Sequence, residues 1–121
     1  RQDMVGIVGT NYRPLDNGYQ IKEALQHLIS TVNQTENPVE KALIAVLMVA
    51  YIQPFEDGNK RTSRILGNAL LLADDYCPLS YRGVDEIEYK KGIILFYEQN
   101  NASYFKQLFL EQFRQAVKKY F

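Results

Sequence analysis

QPFEDGNKRTSR, at residues 53–64, is a polar stretch that separates two helical patterns. Before it, the run LIAVLMVA at 43–50 is apolar on nearly every side, which predicts a buried helix from Pro38 to about Tyr51. After it, a helix that begins near Asn59 is predicted by apolar residues at helical spacing, namely Ile65, Leu66, Ala69, Leu70 and Ala73. The stretch is therefore a loop that leads into the N-terminus of a helix.

The start of this second helix has the properties of an anion site. The first backbone N–H groups of a helix lack partners within it and carry partial positive charge, so Asp-Gly-Asn-Lys at 57–60 can form a nest for a phosphate. Gly58 lets the backbone approach an anion closely. Arg61 and Arg64 lie three apart on one helix face, where they can reach different oxygens of one polyphosphate. Lys60 adds a third positive charge.

Two acidic residues in the same loop indicate a divalent cation. Glu56 and Asp57 would repel phosphate unless a cation lies between them, and Mg²⁺ held by Asp57 and phosphate oxygens removes that conflict. From these residues alone, a polar loop whose arginines pair with Glu56, Asp57 or other surface acids stays open as the alternative. The GxxxxGK[ST] pattern of a Walker loop is absent, so its mechanics do not apply.

Upstream of the buried helix, the pattern predicts an arm and one amphipathic helix. Residues 1–19 combine β-prone pieces with the turn signal Asp-Asn-Gly at 16–18, which predicts a small hairpin or irregular arm. From Ile21 to Val32, apolar residues recur at helical spacing and predict the first helix. The polar stretch 31–37 is interpreted as a loop.

The remaining helices are predicted from capping signals. Asn37, Pro38 and Glu40 begin the buried helix in the manner of a capping box. Asp85 and Glu88 begin a fourth helix, whose inward residues are predicted to be Ile87, Ile94, Leu95 and Tyr97. Ser103 is the predicted cap of the last helix, whose stripe consists of Phe105, Leu108, Phe109, Gln112, Phe113, Ala116, Val117 and Tyr120. The predicted class is all-α, a helical bundle with a small N-terminal β-hairpin.

Length and composition exclude several other classes. The 121 residues suit one domain over 1–121, and the lack of an initiator Met suggests a piece of a longer protein. Fourteen basic and fourteen acidic residues cancel, so nothing favours direct binding to nucleic acid or to a membrane. The single Cys77 and the lack of a signal segment predict a reducing, cytoplasmic setting. The longest apolar run, 42–50, is far below the ~20 residues that span a bilayer.

The stretch 53–64 resembles the signature of the Fic family, H-x-F-x-[DE]-G-N-[GK]-R-x-x-R. The matching residues are Phe55, Asp57, Gly58, Asn59, Arg61 and Arg64. The resemblance extends more loosely from the region of Tyr12 to the final helix. It implies a Fic-type helical bundle that transfers AMP from ATP to a hydroxyl group of a target protein. The arm at 1–19 would be the flap that aligns a target segment by strand-like pairing.

Carried over position by position, the resemblance implies roles for these residues. Asp57 would bind Mg²⁺, and Phe55 would point into the core and anchor the loop. The implied phosphate-binding residues are Gly58, Asn59 and Lys60 for the α and β phosphates, and Arg61 and Arg64 for the outer phosphates. Tyr97 and Glu98 fall where later helices of the family line the adenosine end of the site.

The chain departs from the signature at Gln53, where the family has a histidine that acts as general base. An amide does not take up a proton at neutral pH, and loss of a general base typically costs ~10²- to 10⁴-fold in rate. Gln53 can still make hydrogen bonds, so nucleotide binding need not suffer. The only histidine, His27, lies off the apolar stripe of its helix and is predicted to be a surface residue.

Lys60 is a second departure, because most family members have glycine there. The Doc branch carries Asn-Lys-Arg, as residues 59–61 do, and its members bind the nucleotide in reverse and transfer the γ-phosphate. A Doc-like protein phosphotransferase and a catalytically inactive nucleotide-binding or interaction module therefore stay open as alternatives. The family's inhibitory motif, [ST]-x-x-x-E-[GN], has no match, so an inhibitory, antitoxin-like partner or a missing segment would supply regulation.

Overall fold

Five helices make up the part of the chain that the computed structural model describes, which is Gly6, Thr10 and residues 12–120, with Tyr120 as backbone only. The helices are α1 (Gly18–Gln34), α2 (Pro38–Ile52), α3 (Asn59–Ala73), α4 (Glu86–Gln99) and α5 (Ser103–Tyr120). None of these described residues lies in a strand. Nor does any described helix have the length and apolar character needed to cross a membrane. The all-α prediction is confirmed.

Three helices begin at side chains that accept hydrogen bonds from their first turns. Asn37 accepts from two N–H groups of α2, and Asp85 does the same for α4, as the capping signals predicted. Asn17 accepts from the N–H groups of Tyr19 and Gln20 at the start of α1, at 2.8 and 3.3 Å. The turn signal at 16–18 therefore starts a helix.

The predicted β-hairpin flap over 1–19 is wrong. The described residues of this segment before Gly18 are in no strand, and Gly18 and Tyr19 form the first turn of α1. The physical reason is the capping by Asn17, which stabilises a helix where a hairpin turn was expected. Most of the β-prone stretch 5–8 lies outside the described residues. The remaining arm contacts α4 and α2 through Thr10, which donates to Glu98 at 2.6 Å, and Tyr12, whose hydroxyl donates to the Tyr51 carbonyl at 2.8 Å.

Helix α2 lies at the centre of the bundle, as its all-round apolar sequence predicted. It packs against α1, α3 and α4. One apolar cluster joins α2 to α3, α4, α5 and the loop after α3, and a second joins α2 to α1 around Ile21, Leu28, Val49 and Ile52. Because α2 holds one end of the polar loop at 53–58, its packing fixes where that loop begins.

The closest helix pair, α2 and α3, packs through small residues. A Cβ atom added to Gly67 would lie 2.7 Å from Val46 Cγ2 on α2, so only glycine fits this crossing without a shift. The buried residues of α3 are Asn59, Ser63, Gly67 and Leu71. The apolar residues whose spacing predicted this helix do not form its buried face: Ile65 and Leu66 are exposed, because small side chains on the buried face let the two backbones come close.

Three smaller predictions also differ from the structure. Helix α1 continues through the expected loop at 31–37 as far as Gln34. In α4, the predicted inward residue Ile87 is 78% exposed. Tyr97 is buried as predicted, and Ile93 is buried as well. The side chain of Asn101, in place of the predicted Ser103, accepts a hydrogen bond at the start of α5, from the Ser103 N–H at 3.0 Å. The predicted stripe of α5 does bury Phe105, Phe109, Gln112 and Ala116.

Candidate functional site

The loop between α2 and α3 is bounded by two residues in the left-handed region. Gln53 ends α2 with φ 52° and ψ 60°, and its N–H donates to the Val49 carbonyl at 2.9 Å. Gly58 precedes α3 with φ 80° and ψ 13°. Glycine adopts this conformation without strain, whereas a glutamine there has to be held by its surroundings. The chain therefore leaves α2 and enters α3 at two sharply defined points.

Asn59 holds the loop together from within. Its side chain is 6% exposed; Nδ2 donates to Gln53 Oε1 at 2.9 Å and to the Phe55 carbonyl at 2.7 Å. Its Oδ1 accepts from the Phe55 N–H at 2.9 Å. The Phe55 side chain, predicted to point into the core, is instead 49% exposed. Buried polar groups need partners, so the Asn59 amide serves as the anchor that was assigned to Phe55.

Gln53 uses both ends of its amide inside the protein. Nε2 donates to the Ala50 carbonyl at 2.8 Å, while Oε1 accepts from Asn59. The Tyr97 hydroxyl donates to the same Ala50 carbonyl at 2.6 Å. Burial raises the pKa of Tyr97 well above its ordinary value, against the opposing effect of a hydrogen bond with Gln53. Tyr97 is therefore protonated at neutral pH and acts as a donor.

The N-terminus of α3 is open to an anion. Unlike α1, α2 and α4, it receives no side-chain capping bond within the described part of the chain, and its first turn contains no acidic residue. It borders a cavity of about 500 Å³. The cavity is lined by Asp57, Gly58, Lys60, Arg61, Arg64, Ile65, Asn68, Leu79, Ser80 and Tyr81. Five of the residues that the sequence singled out thus face one space.

The three basic residues differ in their surroundings. Arg61 is exposed. The Arg64 guanidinium lies 4.3 Å from the ring centroid of Tyr81 and 4.2 Å from that of Tyr89, two rings whose planes meet at 82°. Both rings attract the cation, which helps to hold the side chain in place. The side chain of Arg64 is accordingly only 19% exposed, although it still lines the cavity.

Glu86 is a site residue that the sequence did not reveal. It is the first residue of α4, and its carboxylate lies 2.6 Å from Lys60 Nζ and 3.3 Å from Arg64 Nη2. The hydrogen bond from Lys60 lowers the pKa of Glu86 below its ordinary value, with Arg64 adding to the effect. No local pattern links an acid at the start of one helix to cations 22 and 26 residues earlier. Only the tertiary fold, which places the first residue of α4 near the first turns of α3, brings them together.

A second cavity, of about 300 Å³, lies beside Gln53. Its lining consists of Ala50, Gln53, Lys60, Ser63, Glu86, Tyr89, Lys90, Ile93 and Tyr97. Lys60 lines both cavities, whereas its ion-pair partner Glu86 lines only the second one. The second cavity is mostly apolar away from this pair.

The predicted metal ligand, Asp57, is exposed, and its Oδ1 accepts from the Gly58 N–H at 2.8 Å. No cluster of three or more His, Cys, Asp or Glu occurs among the described residues, so those residues form no all-protein metal cage. His27 is exposed on α1 and lines neither cavity. Cys77 is buried in the loop after α3. Neither residue belongs to the site.

Comparison with known families gives one family match. A sequence model of the Fic/DOC family matches residues 2–71, which include α1, α2, the loop and most of α3. The helices α4 and α5 lie beyond the matched range.

Three similar proteins are described as protein adenylyltransferases. The chain is 37% identical over 62 residues to protein adenylyltransferase Fic of Nematostella vectensis, covering 51% of this chain and 14% of that protein. It is 33% identical over 60 residues to protein adenylyltransferase fic-1 of Caenorhabditis elegans, covering 50% and 12%. For the Fic protein of Drosophila melanogaster the identity is 44% over 52 residues, covering 43% and 11%. The matches thus span a small part of each relative's length.

A solved structure shares the fold. The BepC protein, a VirB-translocated effector of Bartonella tribocorum solved with bound AMPPNP, superimposes with a TM-score of 0.76 and 23% sequence identity. The match covers 92% of this chain and 56% of that one. The helical arrangement is therefore that of BepC.

Proposed function

Because the chain belongs to the Fic/DOC family, we propose that the α2–α3 loop binds ATP with Mg²⁺, and that the chemistry of the domain is AMP transfer from ATP to a hydroxyl group of a target protein. One observation carries this proposal: the uncapped N-terminus of α3 borders a cavity that Asp57 and Arg61 also line. Free N–H groups, an exposed guanidinium and a carboxylate are the groups that a magnesium–polyphosphate complex requires.

The loop and the basic residues at this cavity have separate roles in the proposal. The backbone N–H groups of Asn59 and Lys60 bind the α and β phosphates, Gly58 lets the backbone approach them closely, and Arg61 holds the outer phosphates. Arg64 adds a fixed positive charge at the same cavity, since its two tyrosine neighbours keep the guanidinium in place. The Asn59 side chain is already used within the loop, so its contribution to phosphate comes from its backbone.

Asp57 is the proposed protein ligand of Mg²⁺. One oxygen of its carboxylate accepts from the Gly58 N–H, and the side chain is exposed at the cavity, so it fits a metal that takes one carboxylate and completes its shell with phosphate and water. Bound Mg²⁺ would neutralise charge on the phosphates.

The second cavity is the proposed place of the nucleoside. Its walls combine the apolar Ile93 with the aromatic rings of Tyr89 and Tyr97, which suit the flat face of a base. Lys60 connects it to the phosphate cavity. BepC, which shares the fold, is described with bound AMPPNP, and this supports a nucleotide as the ligand. Glu98, the other residue expected near the adenosine, instead accepts from Thr10.

Gln53 is the reason that we propose weakened catalysis. In AMP transfer the target hydroxyl oxygen bonds to the α-phosphorus, the bond to pyrophosphate breaks, and the hydroxyl proton passes to a base. The Gln53 amide does not accept that proton at neutral pH. Both ends of the amide are also engaged, with Ala50 and Asn59. A domain that binds nucleotide and transfers AMP slowly, or not at all, follows from this substitution.

Transfer of the γ-phosphate is a second candidate function, and Lys60 favours it. Its side chain extends to Glu86 along the border of both cavities, where a glycine would leave open space. A nucleotide that avoids this side chain can enter with its γ-phosphate where the α-phosphate would otherwise lie. Parallel assays with α-labelled and γ-labelled ATP separate the two reactions, because each label is transferred in one of them only.

Calorimetry tests the proposed binding. The wild type is expected to bind ATP in the presence of Mg²⁺, and Arg61→Ala is expected to weaken binding about tenfold to a hundredfold, since it removes charge-assisted hydrogen bonds. Arg114→Ala is the matched control, because Arg114 is an exposed arginine on α5 that pairs only with Glu111 among the described residues. Equal affinities of the two variants, or no binding by the wild type, would contradict the proposal.

A further inference from the structure

Three consecutive residues of the loop between α3 and α4 form part of the wall of the phosphate cavity. Leu79, Ser80 and Tyr81 line this cavity together with Arg64. The three residues lie beyond the range matched by the family model, which ends at residue 71. They belong to the surroundings of the proposed phosphate site only because the chain folds back onto α3 after that helix ends.

Asn68 fastens this segment to α3. Its Nδ2 donates to the Leu79 carbonyl at 2.9 Å, and its Oδ1 accepts from the Leu79 N–H at 2.8 Å. One amide side chain thus satisfies both backbone groups of a single residue, as a neighbouring strand would. Asn68 comes four residues after Arg64 on the same helix, so the two residues share a face of α3. The segment that begins at Leu79 is therefore held on the face of α3 that carries Arg64.

Tyr81 has a backbone conformation that its surroundings must maintain. Its φ is 60°, in the left-handed region, which is unfavourable for a residue with a bulky side chain. The residue is nevertheless buried, and its ring lies 4.3 Å from the Arg64 guanidinium and edge-on to Tyr89, with 6.1 Å between ring centroids. The unfavourable backbone thus accompanies a ring that contacts the cation of the cavity.

The ring of Tyr81 and not its hydroxyl group accounts for this contact. The hydroxyl oxygen is buried without a hydrogen-bond partner among the described residues, and burial raises the pKa of Tyr81, so the group stays neutral near pH 7. Arg64 Nε is likewise buried with no such partner in the described part of the chain. The ion pair of Arg64 with Glu86, at 3.3 Å, involves an exposed carboxylate, and exposed pairs are weak. The aromatic contacts are therefore the main constraint on the guanidinium.

We propose that Tyr81 is a positioning residue of the phosphate site, whose ring keeps the Arg64 guanidinium directed at the cavity before a polyphosphate arrives. The grip of Asn68 on Leu79 holds the ring there. The proposal rests on the proposed function of the same site. A cation that is already ordered loses less side-chain freedom when it binds, and the affinity is higher by that difference. Tyr81 acts through Arg64 and needs no contact of its own with the ligand.

Hydrogen exchange of the Arg64 Nε–H group, followed by NMR in the free protein, tests the positioning without any ligand. The group is buried in the wild type and is expected to exchange slowly. Tyr81→Leu removes the ring and is expected to speed this exchange about tenfold, whereas Tyr81→Phe restores the ring and should keep it slow. Tyr76→Leu is the matched control, because Tyr76 is a tyrosine of the same loop that stacks on Phe113 and lines neither cavity.

Calorimetry with magnesium ATP tests the consequence for binding. Tyr81→Leu is expected to weaken binding about tenfold, the scale of a partly desolvated contact between a cation and a ring, and Tyr81→Phe to restore it. Asn68→Ala, which frees Leu79, is expected to weaken binding as well. Combined with Arg64→Ala, Tyr81→Leu should cause little further loss of affinity, whereas its effect should add in full to that of Arg61→Ala.

The outcomes separate this proposal from the one on which it rests. No binding of magnesium ATP by the wild type would contradict the nucleotide site itself. A wild type that binds no more tightly than Tyr81→Leu overturns the positioning role and leaves the nucleotide site standing. Fast exchange of the Arg64 Nε–H group in the wild type overturns it too. Equal losses in Tyr81→Leu and Tyr76→Leu, or in Tyr81→Leu and Tyr81→Phe, also overturn it, because loop stability or the hydroxyl group would then be the cause.

Discussion

At the scale of single residues, the α2–α3 loop depends on two amides. Asn59 and Gln53 hydrogen-bond to each other at 2.9 Å, and each also binds backbone carbonyls, at Phe55 and Ala50. This pair ties the end of α2 to the start of α3. A residue at position 53 therefore has a structural role whatever its chemistry, and a substitution there affects both the loop and the proposed reaction.

Replacement of Gln53 by histidine is expected to raise AMP transfer. An imidazole takes up a proton near neutral pH, and a positioned general base contributes about 10²- to 10⁴-fold in rate. The measurement is transfer of label from α-labelled ATP to protein. Gln53→Leu is the control, since it removes the amide contacts without supplying a base. Equal rates of AMP transfer for the histidine and leucine variants would contradict this prediction.

At the scale of helices, α2 and α3 approach through Gly67, and this approach directs the other face of α3 outward. Gly67 is buried against Val46, while Ile65 is 62% exposed and Leu72 55% exposed. The spacing of the apolar residues in α3 predicted the helix but not which of its faces is buried. Small residues at the contact let the two backbones come close. A hydrophobicity pattern carries no information on how closely two helices fit together.

Gly67→Val is expected to destabilise the protein by about 2–3 kcal/mol. The added Cβ would meet the buried Val46 side chain at 2.7 Å, and overpacking of this kind costs about 1–3 kcal/mol. The free energy of unfolding in urea is the measurement. Ala69→Val is a matched control on the exposed face of α3, expected to cost about 0.6 kcal/mol or less, as a difference in helix propensity. If both variants lose the same stability, the close contact is not the cause.

At the scale of the whole molecule, the contacts of Glu86 with Lys60 and Arg64 join α4 to α3. The hydrogen bond from Lys60 holds the pKa of Glu86 below its ordinary value. A carboxyl with a lowered pKa in the folded state contributes stability above its unfolded pKa and loses that contribution as the pH falls through the folded value. The stabilising effect of Glu86 is therefore present at neutral pH and lost in acid.

A pH series of unfolding experiments on Glu86→Gln is expected to show this dependence. The variant should be less stable than the wild type at pH 7, and the two should converge as the pH falls through the lowered pKa of Glu86, because the protonated carboxyl resembles glutamine. Glu88→Gln serves as the reference for the loss of a charge, since Glu88 makes no ion pair among the described residues. A stability difference that stays constant from pH 7 to pH 3 would exclude the ionised Glu86 as its source.

The sequence by itself determined the helical class, the caps at Asn37 and Asp85, the central position of α2 and the family, because each depends on local chemistry or on a contiguous motif. Only the tertiary structure decided three other features. The Asn59 side chain anchors the loop, and Gly67 forms the close contact of α3 with α2 while Ile65 is exposed. Glu86 binds two basic residues of the proposed site. Those three depend on contacts between groups that are distant in the chain or on how closely two backbones fit, and neither is encoded in periodicity.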